Sequence, residues 1–393
     1  MYRIKVLDRI AQEGLALLGD GFAVSSTEAA PQGVLVRSSG VDTALYPDLL
    51  AVARAGAGVN NITVDKATAA GVCVFNTPGA NANAVAELVF TMLGIGARNL
   101  QEGMDFCRGL AGSSESEVRT KVEGEKKRFL GIEMAGKTLG VLGLGKIGLR
   151  VANRGVTAGM QVIGFDPFPA LENIHQLSPE VVLARSLGEM LARVDVLSLH
   201  VPLNDKTRHQ VNAALLARLP AGAVLLNYSR GEIVDEAAVL AALDSGHLSR
   251  YLTDFPSAAI IGHARVLCSP HLGASTEESE EHCATMAVGE LRSYLEYGNV
   301  SRSVNFPTAE AIPAGNVVSR LIMINRDMPG MIGFVSQAIG GGGINIISYL
   351  NESNGVIGYN LIDLEAQLPP DLLAAITAHP GVIRTRVIDL STR

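Results

Sequence analysis

The residues able to do chemistry fall into short clusters. Gly143-Leu144-Gly145-Lys146-Ile147-Gly148 is a G-x-G-x-x-G that follows an apolar run, 138–142, and opens a helical pattern. A second apolar run, 161–165, ends in Asp166. A strand, a glycine turn, a helix and an acid at the tip of the next strand are the context a dinucleotide site demands. Gly143 allows a tight turn, Gly145 lets backbone approach a pyrophosphate, and Gly148 lets the helix pack against the strand. Lys146 and Ile147 belong to the same cradle, where the helix N-terminus offers unpaired N–H groups and the positive end of its dipole. Asp166 can accept hydrogen bonds from both ribose hydroxyls of NAD and would repel the 2′-phosphate of NADP.

Further polar clusters sit at or just past the ends of apolar runs. Arg230, in Asn227-Tyr228-Ser229-Arg230-Gly231, can grip a carboxylate with two parallel hydrogen bonds. His271, in Pro270-His271-Leu272-Gly273-Ala274, can give or take the proton that accompanies hydride transfer. Asp254 ends the run 251–254. His200, in Leu199-His200-Val201-Pro202, reads as a lining of the cofactor pocket, because a Pro-stiffened turn suits positioning. Arg37-Ser38-Ser39 also ends a run, at the place where α/β sheets bind ligands.

These clusters need elements to hold them. Residues 2–7, 22–25, 33–37 and 72–75 read as strands, and 11–18 and 46–52 as helices. Segment 82–107 reads as one long apolar helix. Segment 112–128 reads as a solvated charged loop, or as an anion-attracting lip built on Lys121, Lys126, Lys127 and Arg128. Later strands are expected at 194–199, 223–227, 251–254 and 266–268, and a helix at 277–298. Segment 303–315 carries two prolines and reads as a linker. Beyond it, 317–324, 330–339, 344–350, 356–364, 370–378 and 382–390 alternate as β-α-β-β-α-β. The fold class is α/β. Two doubly wound parallel sheets are expected, one from 1–95 with 282–303 and one from 96–281. A linker at 304–315 and a βαββαβ module at 316–393 follow.

A chain of 393 residues suits two or three domains. The net charge of −7 argues against a nucleic-acid binder. Cys73, Cys107, Cys268 and Cys283 form no C-x-x-C pair, which fits a reducing cytoplasm better than a disulfide framework or a metal site. The first residues read as a strand and not a signal peptide, and no apolar run is long enough to cross a bilayer, so no membrane partner is expected.

Taken together the motifs resemble the D-isomer-specific 2-hydroxyacid dehydrogenases, and within them the phosphoglycerate dehydrogenases. The matching stretches are GLGKIG with Asp166, LHVPL at 199–203, NYSRG at 227–231 and SPHLGAST at 269–276. VRSS at 36–39, RAGAGVNNI at 54–62 and NTPGANANAVAEL at 76–88 match the family's substrate domain. The tail resembles an ACT module, which binds amino acids. The resemblance implies a Rossmann-type NAD domain inserted in a flavodoxin-like substrate domain, and a homodimer or homotetramer. NAD would be held by the glycine turn, Asp166, His200, Val201, Pro202, Thr207, Tyr228, Ser229, Asp254, Gly273 and Ala274. Arg230 would bind the substrate's carboxylate and carbonyl, His271 would be the general acid/base, and Asp254 would hold the nicotinamide amide. Ser38, Ala57, Gly58, Val59 and Asn81 would line the substrate, with Arg37 and Arg54 as anchors of a phosphate. The reaction implied is oxidation of D-3-phosphoglycerate to 3-phosphohydroxypyruvate, the first step of serine biosynthesis.

Two departures from the family pattern stand out. The Glu that normally hydrogen-bonds the catalytic His is absent: the segment is Asp254-Phe255-Pro256-Ser257-Ala258-Ala259-Ile260, with Ala258 or Ala259 at its place. Of the residues that would meet a serine effector, Asn345 matches, while Asn325 and Asp327 are substitutions. A reductase of another 2-oxo acid, such as 2-oxoglutarate or hydroxypyruvate, and a weakly active NAD-binding sensor or scaffold remain as alternatives.

Overall fold

Five short apolar runs assemble the first sheet of the computed structural model, which describes residues 1–391. β1 (Tyr2–Val6), β2 (Phe22–Ser25), β3 (Gly33–Val36), β4 (Ala51–Arg54) and β5 (Cys73–Phe75) lie all parallel in the order β2-β1-β3-β4-β5. Leu35, Ala53 and Phe75 face Ala284, Ala287, Val288 and Leu291 of the helix Glu277–Tyr297. Val34, Val36, Val52 and Val74 pack on the other side with Val41, Leu49 and Ile62. Burial on both faces is why these strands are runs of apolar residues and do not alternate.

The second sheet contains β6 (Thr138–Leu142), β7 (Gln161–Phe165), β8 (Val182–Leu183), β9 (Val196–Leu199), β10 (Ala223–Asn227), β11 (Leu248–Thr253) and β12 (Val266–Cys268). All are parallel, in the order β12-β11-β10-β9-β6-β7-β8. The order reverses between β6 and β9, the switch point at which such sheets bind ligands outside their carboxyl ends. The chain divides into two compact units, Met1–Asn81 with Thr276–Arg393, and Ala82–Ser275.

Three local expectations are corrected. Segment 46–52 is not a helix: a single turn at Thr43–Leu45 stops before Pro47, and Tyr46 takes φ −126°, the extended geometry a following proline imposes. The helix expected over 82–107 is two helices, Ala82–Ala97 and Leu100–Arg108, broken at Asn99 with φ 51°. The Asn99 side chain binds Leu130 O and Arg250, which holds the break. Segment 112–128 is mostly the helix Glu115–Glu125, begun by a Ser114/Glu117 capping box. Lys126 and Arg128 pair with Glu123 and Glu125, so two of the four cations are already neutralised locally. The helix Val64–Ala69 was not anticipated.

The third sheet is antiparallel: β13 (Ser319–Arg326), β14 (Ile346–Ser353), β15 (Ile357–Leu364) and β16 (Val382–Asp389), in the order β14-β15-β13-β16. Helices Met331–Gly341 and Pro370–Thr377 complete β-α-β-β-α-β. One face, with Leu321, Met323, Ile362 and Leu364, packs on these helices. The other, with Ile322, Ile324, Tyr359 and Leu361, shares a core with the first sheet's helix Glu277–Tyr297. Gly298 ends that helix at φ 75°, where a Cβ would meet Ile322 Cδ1 at 2.3 Å, and its carbonyl accepts from Tyr359 Oη at 2.6 Å. Arg320, fully buried, donates to both Asp363 oxygens at 2.6 and 2.9 Å and to the carbonyls of Tyr297 and Ala311 at 2.8 and 2.9 Å.

Among the described residues no helix is long and apolar enough to cross a membrane.

Candidate active site

In the unit Ala82–Ser275 the glycine turn is built from backbone contacts. Gly143 takes φ 94°, and a Cβ there would lie 2.7 Å from the His200 carbonyl. A Cβ on Gly148 would sit 1.9 Å from Gly143 O, so the helix Lys146–Thr157 starts hard against the turn. A Cβ on Gly145 would meet nothing within 4 Å. That open side, beside the uncapped helix start at Lys146 and Ile147, is a cradle suited to a diphosphate. Lys146 Nζ pairs with Glu172 at 2.7 Å.

Asp166 follows β7. Its Oδ2 accepts from Leu144 N at 2.8 Å and its Oδ1 from Phe168 N at 2.8 Å, which fixes the carboxylate beside the turn. Asn at 166 keeps an acceptor for Leu144 and removes the charge. We expect Asp166→Asn to lower the ratio of kcat/KM for NAD over NADP by about tenfold, the equivalent of ~1.4 kcal/mol. A wild-type chain that already uses NADP as well as NAD would refute the role given to Asp166.

The His200 backbone N–H donates to Leu142 O at 2.7 Å, and its ring Nε2 lies 2.8 Å from Ser198 Oγ. Burial pushes its imidazole down to about 3, so it stays neutral near pH 7 and is unsuited to proton transfer. Val201 O accepts from Ser229 Oγ, and Pro202 O from Thr207 Oγ1 at 2.6 Å. Tyr228 is buried, and burial, with the nearby Asp254 charge adding to it, raises its phenol.

Arg230 and His271 are positioned by buried polar struts. Asn227, fully buried at the end of β10, donates to Arg230 O at 2.9 Å and accepts from Ser229 N at 3.2 Å. Asp254 accepts from Ser269 Oγ at 2.6 Å, Leu272 N at 2.8 Å and Gly273 N at 2.7 Å. Both of its oxygens are thus engaged in holding the loop that presents His271 and leads to Ala274. The His271 backbone N donates to Asp254 O and Ser269 O, at φ 54°, a region few non-glycine residues adopt. Its exposed ring meets Phe255 edge-on at 5.0 Å between centroids. Among the described residues no carboxylate bonds to the imidazole. Glu236 reaches the segment of the absent Glu, but at Ser257 Oγ, 2.8 Å away. Asn227 and Phe255 were given no role from sequence. Asn227 opens the NYSRG motif and Phe255 follows Asp254, yet neither fact tells which way the side chain turns.

The other unit holds the expected anion-binding residues. Arg37 and Arg54 lie at the carboxyl ends of neighbouring strands, β3 and β4, where Val36 is in register with Arg54. Arg54 Nε donates to Arg37 O at 2.9 Å, and its NH1 to Gly58 O. Backbone N–H groups of Arg37, Ser38 and Ser39 converge on Asp8 Oδ2 at 2.7, 2.9 and 3.0 Å. The turn through Ala57, Gly58 and Val59 is tied down by Thr77 N to Gly56 O at 3.1 Å and by Asn76 to Ala57 O. Asn81 is half-buried just before the helix Ala82–Ala97.

The three effector candidates do not come together within one chain. Asn325 is buried, donates to Arg326 O and accepts from Asn360 at 2.7 Å, so its amide is committed to the fold. Asp327 is exposed just past the same end of β13. Asn345 is exposed at the start of β14, and Ile346 is level with Leu364 and hence with Ser319, the opposite end of β13. Six residues of strand separate the two ends, roughly 20 Å.

Residues 103–273 match the sequence model of the D-isomer specific 2-hydroxyacid dehydrogenase NAD-binding domain. The chain is 32% identical over 354 residues to the D-3-phosphoglycerate dehydrogenase of Haemophilus influenzae, covering 87% of this chain and 82% of the relative. It is 31% identical over 341 residues to that of Methanocaldococcus jannaschii, covering 84% of this chain but only 61% of the longer relative. Among solved structures, the NAD⁺-bound 3-phosphoglycerate dehydrogenase of Entamoeba histolytica aligns with a TM-score of 0.61 and 26% identity, over 77% of this chain and 98% of that one. The glycine cradle fits NAD, the cofactor named for the matched domain and bound in the Entamoeba structure. The chain belongs to the D-isomer-specific 2-hydroxyacid dehydrogenase family, and its unit Ala82–Ser275 carries that family's NAD-binding domain.

Proposed function

We propose that the chain oxidises D-3-phosphoglycerate to 3-phosphohydroxypyruvate with NAD, the first step of serine biosynthesis. The observation that carries this choice among 2-hydroxy acids is the pair of guanidiniums, Arg37 and Arg54, at the ends of adjacent strands. Two such groups suit a phosphate dianion, and fork-shaped donors match its oxygens. Relatives named for this reaction support the same reading.

The glycine turn 143–148 and Asp166 would hold NAD, which would supply the acceptor for the hydride leaving substrate C2. Arg230 grips the substrate's carboxylate and polarises the C2 oxygen. His271 removes the hydroxyl proton as the C2–O bond becomes a carbonyl, and returns it in the reverse direction. The backbone turn at Ala57, Gly58 and Val59 offers N–H groups to the carboxylate.

Arg37→Ala is expected to raise KM for 3-phosphoglycerate by about 10- to 150-fold, because a charge-assisted hydrogen bond contributes ~1.5–3 kcal/mol. Unphosphorylated D-2-hydroxy acids should be affected much less. Arg54→Ala should act in the same direction, with an added cost from freeing the Gly58 turn. Steady-state kinetics on both substrate types decides the matter: equal losses would make the arginines structural and favour a different 2-oxo acid.

A further inference from the structure

Arg37 already faces an anion of the chain's own making. Glu280 Oε1 lies 2.7 Å from Arg37 NH1, and the two side chains are 36% and 40% exposed, Arg37 first. Neither backbone is free to drift. Glu280 is in the first helical turn of Glu277–Tyr297, which Thr276 caps by accepting from Ser279 N at 3.1 Å. Arg37 begins the loop whose three N–H groups, with Ser39 Oγ at 2.6 Å, bind Asp8. Burial opposes the charge on Asp8, but the Ser39 hydroxyl and those N–H groups outweigh it and hold its carboxyl at about 2. The loop is therefore clamped by a permanent anion, and the pairing of Arg37 with Glu280 is set by fixed elements.

We propose that Glu280 is a specificity-determining residue, a built-in competitor for the guanidinium that takes the substrate's phosphate. The proposal rests on the reading of Arg37 as a phosphate anchor. A dianion arriving at Arg37 must displace the carboxylate or share the guanidinium with it. Both routes weaken binding of a phosphorylated ligand, whether substrate or product. A ligand without a phosphate does not meet this competition. The exposure of the pair bounds the effect to a few-fold, since solvent screens ion pairs at such sites.

Glu280→Gln separates charge from orientation. The amide oxygen still accepts from Arg37, so the guanidinium keeps its place while the competing charge is gone. We expect KM for 3-phosphoglycerate to fall about three- to fivefold, with kcat and KM for unphosphorylated D-glycerate unchanged, and Glu280→Ala to lower it as well. Measuring these variants beside Arg37→Ala keeps the two ideas apart. If Arg37→Ala selectively harms the phosphorylated substrate while Glu280→Gln leaves its KM unchanged or raises it, the competitor role is wrong and the phosphate anchor stands. If Arg37→Ala harms both substrates equally, the anchor reading falls and the competitor role falls with it.

Discussion

His271→Asn should retain NADH binding and lose turnover by about 10²–10⁴-fold, the usual weight of general acid–base catalysis. Asn is the suitable replacement because position 271 has φ 54°, and Asn tolerates that left-handed geometry better than most residues. The backbone bonds from 271 to Asp254 O and Ser269 O can persist, as can the clamp of Asp254 on Ser269, Leu272 and Gly273. What disappears is the imidazole, an exposed ring steadied by Phe255. His200 cannot take over, because burial keeps it neutral down to about pH 3. The measurements are kcat from NADH absorbance and NADH affinity from its fluorescence. Turnover within tenfold of wild type would remove His271 from the mechanism. Loss of NADH affinity alongside turnover would show instead that the loop had collapsed.

Arg320→Ala should destabilise the unit that contains it by about 3–5 kcal/mol, the range for breaking one partner out of a buried ion pair. Arg320 is fully buried and Asp363 nearly so, and the guanidinium also satisfies the carbonyls of Tyr297 and Ala311. Its loss leaves an unpaired carboxylate and two carbonyls without this donor in a dry place. With a shift of about 2–4 °C per kcal/mol for domains of 150–250 residues, the melting transition should drop by roughly 6–20 °C. The double replacement Arg320→Met with Asp363→Leu removes both charges and should recover much of the loss, since apolar substitutes for a buried pair are often neutral. A single variant melting within 2 °C of wild type would show that water reaches Asp363. It would also mean that the pair does not hold the C-terminal sheet to the helix Glu277–Tyr297.

Sequence alone determined what local chemistry dictates. The glycine turn, the acid at the end of β7 and the parallel strands were legible because each depends on a few neighbouring residues and on burial of both sheet faces. The stop at Pro47 and the capping box at Ser114 and Glu117 were written in the sequence too, and the fold obeys them although the apolar and charged composition around them points the other way. Other features depended on residues far apart in the chain. The break at Asn99 is held by Leu130 and Arg250, and the His271 loop by Asp254. Asn325 looks like a polar ligand in the sequence, but Asn360 takes its amide oxygen in the middle of a sheet. Arg37 looks like a free cation until the fold carries Glu280 to it across more than two hundred residues. A residue's type is local, but what pairs with its charge is settled only when the chain has closed on itself.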